Sequence, residues 1–231
     1  MNDDGSVEGA LSRRNIIGGA GLAVAGGVAL TAVTGAQAAA ADSGLATGPS
    51  GTTTVEFRGR ISQTGSSGQV FASYGYLTKL AGASSDDLFA AAPPSEATAL
   101  FTVFATGNLV QRTFDDRVHV LDVAGELTVY QRDTAGATFA DPNSFAVGNA
   151  VARFGLTLQD VLTVFAPASG LPTLTGDMRQ RTAGRLSGGL RGSTFGQSGL
   201  RLRFFATGIG TLVDPATSNS QLEIAGNWSV A

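Results

Sequence analysis

From residue 55 to residue 230 the chain keeps returning to one pattern, a short run in which apolar and polar residues alternate. Residues 55–61 (VEFRGRI) set Val55, Phe57, Gly59 and Ile61 against Glu56, Arg58 and Arg60. Residues 70–80 separate Phe71 and Leu77 from Tyr74 and Tyr76. Residues 151–165, 173–185, 200–207 and 222–230 alternate in the same way, the last with Leu222, Ile224 and Trp228 on one face. Successive side chains of a strand point to opposite faces, so each run reads as a half-buried strand. Residues 97–106 (ATALFTVFAT) are apolar on both faces and predict a strand covered on both sides. The expected architecture is therefore all-β, a single antiparallel barrel of about eight strands. The final run ends one residue short of the C-terminus, where it would pair with the first and remove both exposed edges.

Against this series stands only one helical signal, a turn after Ser85, Asp86 and Asp87 that Pro93 and Pro94 stop. Some boundaries stay open. Residues 117–131 (RVHVLDVAGELTVYQ) fit either one strand bulged at Ala124-Gly125 or a hairpin turning there. Gly75, in mid-strand, predicts a bulge or a close approach of backbones. Pro167 and Pro172 bracket an expected loop. The six glycines of residues 184–199 predict an irregular connection; they lack the strand–loop–helix context of a phosphate loop.

The N-terminus has a different character. Ser12, Arg13 and Arg14 precede a Gly/Ala/Val/Leu-rich run with no charge before Asp42, and Ala36-Gln37-Ala38 fits an A-x-A cleavage site. This stretch resembles the signal peptides of the bacterial twin-arginine (Tat) pathway, with Ile16 and Gly18 replacing that motif's usual Phe and Lys. The resemblance implies passage through the Tat translocase and a secreted or cell-envelope location. The expected organisation is a signal peptide at 1–38, a flexible linker at 39–53 and the barrel at 54–231.

Composition narrows the function classes. A net charge of −3 without a basic cluster argues against nucleic acid. It also gives no polybasic handle for anionic lipid. The mature domain is expected not to span a membrane. With no cysteine, an exported domain has to hold together by packing alone.

No catalytic signature stands out. The single histidine, His119, shares a strand face with Leu121 and Val123, and no G-x-S-x-G elbow accompanies it. A zinc site would need His119 plus three carboxylates, and Asp115-Asp116 lacks the spacing of a calcium loop, so no metal or cofactor is expected. Arginines two apart, hence on one face, mark three runs: Arg58 and Arg60, Arg179 and Arg181, Arg201 and Arg203. They read as the outside of a sheet or as the lining of an anion site.

Residues 57–61 (FRGRI), 75–78 (GYLT) and 125–130 (GELTVY), with 144–148 (SFAVG) before a long strand, resemble the allene oxide cyclase and dirigent barrel superfamily over roughly residues 54–230. That resemblance implies an eight-stranded antiparallel barrel around a largely apolar cavity, with members that cyclise or steer small molecules by pocket shape. No catalytic residue of the superfamily matches a position here. A lipocalin-like barrel is the alternative fold, although Trp228 sits at the wrong end for its G-x-W motif. The function expected is an exported barrel that binds a small apolar ligand or serves the cell envelope structurally. The alternative is an isomerase or cyclase with Tyr74, Tyr76, His119 and Tyr130 as pocket residues.

Overall fold

The computed structural model describes residues 44–65, 69–166, 168–213 and 219–231. The twin-arginine segment and its expected cleavage site lie outside these residues. In chain order the strands are β1 (Gly44–Leu45), β2 (Thr53–Thr64), β3 (Val70–Leu80), β4 (Phe101–Asp115), β5 (Val118–Gln131), β6 (Asn149–Ala166), β7 (Ser169–Ala183), β8 (Thr194–Phe195), β9 (Arg201–Val213) and β10 (Ser220–Val230). Among the described residues helix is confined to α1 (Ser85–Leu88) and 3-10 turns at Glu96–Thr98, Pro142–Ala146 and Gly188–Leu190. No helix among the described residues is long and apolar enough to cross a membrane.

Eight strands close into an antiparallel barrel in which each pairs with the next, and β10 returns to β2. At that seam Leu222 lies opposite Ile61, Ile224 opposite Gly59 and Trp228 opposite Val55. Closure leaves no long edge to template aggregation, which a chain without disulfides otherwise risks. Alternation decides what fills the barrel. Phe154, Leu156, Leu158 and Leu162 of β6 are buried, as are Leu174 and Met178 of β7 and Leu202 and Phe204 of β9. Phe57, Phe154 and Phe204 gather round Trp228, with ring centroids 5.3 Å apart for Phe57 and Phe204 and 5.8 Å for Phe154 and Trp228. Each such side chain contributes roughly 1.5–3 kcal/mol on burial. Charged residues of the barrel strands other than Arg112 and Asp160 face outward, the reverse of a transmembrane barrel.

Residues 118–131 form one continuous strand, turning neither at Ala124-Gly125 nor bulging there; the turn is at Asp116, whose φ is +47°. Gly125 instead lies directly opposite Gly107 of β4, and a Cβ on either would run into the neighbouring backbone. Gly75 and Gly59 make the same close approach on β3 and β2. Without side chains at these crossings the strands pack close enough to coil tightly.

Two expectations need correction. Residues 44–53 are not a free linker: β1 pairs in parallel with β8, Leu45 and Ala46 are buried, and β2 begins at Thr53. Small size makes this stretch look like a spacer, yet it lets Leu45 nest against Gly82. Pro172 does not bound a loop either; it lies inside β7, pointing inward. Its carbonyl accepts a hydrogen bond from Thr207 Oγ1 at 3.1 Å.

Candidate functional site

The sequence-marked residues fall into three places. The largest assembly is on the outside of the barrel, where β5, β6, β7 and β9 run side by side. Strand pairing sets Arg179 directly opposite Arg201 and Asp177 opposite Arg203. Gly155 of β6 stands beside Arg179 and opposite Glu126 of β5. The floor is therefore low, built from Ala124, Gly155 and Thr157, while long arginines form the wall; the open groove encloses about 1300 Å³. Gly155 is needed for its shape. The Arg181 guanidinium lies across it, 3.0 Å from where a Cβ would be, and reaches Glu126 in an ion pair.

That pair is the only one in the groove among the described residues. Arg179, Arg201 and Arg203 are exposed and have no carboxylate within ion-pair distance, Asp177 included. Like charges directly opposite on neighbouring strands destabilise a sheet by tenths of a kcal/mol to about 1 kcal/mol. An anion lying between them reverses the sign of that interaction, and guanidinium forks match carboxylate and phosphate oxygens.

A second place, also outside, lies between β2, β9 and β10 and the 132–148 connection. It brings Arg58, Arg60 and Tyr76 together with Phe139. The connection is held down by Thr102 Oγ1, which donates to the Phe145 carbonyl at 2.8 Å, and by Arg132, which donates to the Ser144 carbonyl. Phe139 and Phe145 thereby cover Tyr74 and Tyr76, with centroid separations of 5.0–6.4 Å through the cluster. Arg60 pairs with Glu223 at 2.7 Å and lies 4.7 Å over the Phe139 ring. Burial raises the Tyr74 hydroxyl's pKa, and Arg60 partly offsets this.

The third place is inside. His119 is 1 % exposed, its ring 4.3 Å from that of Phe114. Burial lowers its pKa, Arg112 lowers it further, and a hydrogen bond to the Asp116 backbone opposes both. Asp160 was not visible as a site residue in the sequence. It replaces an apolar residue in the inward series of β6, between Leu121 and Leu174, and is 4 % exposed. Its Oδ1 has no partner, and burial pushes its pKa up to about 7 against a backbone hydrogen bond from Thr173. The signal for it was a carboxylate in register with Phe154, Leu156, Leu158 and Leu162.

The geometry does not gather the four pocket candidates. Tyr74 and Tyr76 lie under the outer cover, Tyr130 is half-buried on the outside of β5, and His119 is in the interior. Asp115 and Asp116 are exposed at a turn, and no group of three or more His, Asp or Glu among the described residues is placed to hold a metal. No protein-family model, curated protein or solved structure matches the chain.

Proposed function

We propose that this protein is an exported binding module of the cell envelope that holds an acidic ligand in the outer arginine groove. The observation carrying the reading is Arg179 facing Arg201 across β7 and β9 with no carboxylate among the described residues in ion-pair distance of either. Export rests on Ser12, Arg13 and Arg14 and the uncharged run after them. A ligand outside the barrel also suits an inner face on which Phe57, Phe154, Phe204 and Trp228 are buried against one another. The groove's volume of about 1300 Å³ and its several arginines favour an extended ligand with several carboxylate or phosphate groups over a single small ion.

Fluorescence-anisotropy titration with polyglutamate and polyphosphate, repeated across salt concentrations, tests this. The wild type is expected to bind both, with log K falling linearly against log salt. Arg179→Gln combined with Arg201→Gln should weaken binding and flatten that slope by roughly one for each charge removed. These are exposed positions, so the fold should be unaffected. Salt-independent binding, or a double variant that binds like the wild type, overturns the proposal.

A further inference from the structure

We infer that the groove beside Phe139 is a second, separate site, which takes a small zwitterion with a flat apolar body, of the aromatic amino-acid type. It encloses about 460 Å³, the size of a small-molecule pocket rather than of a polymer track. Its lining carries charges of both signs. Arg58 on β2 has no ion pair among the described residues, and neither has Glu96 in the turn before β4. Arg60 and Glu223, which also line it, neutralise each other. One free cation and one free anion in a single groove match a ligand bearing both charges.

The hydroxyl of Tyr76 supplies an independent reason. Tyr76 is 4 % exposed and lines the groove, but no described residue hydrogen-bonds its hydroxyl. Its ring is buried while its hydroxyl stays open to solvent. Because Tyr76 lines the groove, that hydroxyl can exchange water for a bound carboxylate or amino group. Phe139, half-buried and packed on Phe145 and Tyr76, holds the Arg60 guanidinium 4.7 Å over its ring, and a flat body can stack on that guanidinium.

The test is a nitrogen–proton correlation titration of the full chain with L-tryptophan, and with indole-3-propionate and tryptamine, which each carry one of its two charges. L-Tryptophan is expected to shift the Tyr76 and Phe139 resonances saturably and to bind more tightly than either analogue. Arg58→Gln and Glu96→Gln should each weaken it about tenfold. Tyr76→Phe, which keeps the ring and the fold, should weaken it severalfold, and Arg203→Gln, in the other groove, should leave it unchanged. The inference is overturned if L-tryptophan gives no saturable shift at those residues or binds no better than both analogues. Unaltered affinity in both charge variants overturns it equally.

Discussion

Asp160→Asn is expected to make the barrel more stable at pH 8, by up to about 4 kcal/mol, and to remove the loss of stability that this carboxyl causes between about pH 4 and pH 7. The carboxyl titrates near 3.9 in an unfolded chain and about 7 in the native barrel. Between those values folding takes up a proton. The Asp160 contribution is therefore fully present below pH 4, is lost as pH rises towards 7, and levels off once the native carboxyl has ionised. The cause is its position: Leu121 and Leu174 flank it in register, Leu158 and Leu162 lie along its own strand, and Oδ1 is unpartnered. Asparagine keeps an oxygen for the Thr173 amide but cannot ionise. His119 works in the opposite sense. Its lowered pKa makes the native state resist protonation, so it costs stability as pH falls below about 6.5. Urea unfolding midpoints across pH separate the two, because the variant should retain only the acid-side loss from His119. Equal pH profiles for variant and wild type would remove Asp160 from this role.

Trp228→Ala should lower stability by about 3–5 kcal/mol. Trp228 is fully buried and lies in the strand that closes the barrel, opposite Val55 on one side and Phe204 on the other. Truncation loses its transfer free energy and leaves a cavity bounded by Phe57 and Phe154, which adjoining strands cannot collapse to fill. An equally drastic change on the outer face of the same sheet gives the comparison. Phe205→Ala, at 44 % exposure, should fall within about 0.5 kcal/mol of the wild type. Chemical denaturation of both variants checks the contrast, and similar losses would mean that the seam is not where the core is anchored.

The barrel was legible because alternation is a local property. Residues 55–61 and 222–230 show their inner faces without any knowledge of their neighbours, and their closure by pairing follows from edges that need covering. Features that depend on distant chain were harder to read. Residues 44–53 have a linker's composition, and only contact with β8 and Gly82 orders them. Ala124-Gly125 has the composition of a bulge or turn, but its meaning is set by Gly107 on the facing strand. The same holds for the sites. Spacing two apart placed Arg179 with Arg181 and Arg201 with Arg203, but their union in one groove depends on the register between β7 and β9. Tyr74 and Tyr76 were correctly opposite Phe71, on a face whose covering loop the local pattern could not reveal. Asp160 was passed over because one polar residue barely disturbs an apolar series.

The most direct test of a filled barrel that binds on its outside is to follow backbone amides and the Trp228 indole together during a polyglutamate titration. The expected result is saturable shifts at Arg179, Arg181, Arg201 and Arg203, lost in the Arg179→Gln and Arg201→Gln double variant, while the Trp228 indole stays fixed. A moving indole with silent groove amides would put the ligand inside the barrel and contradict the account.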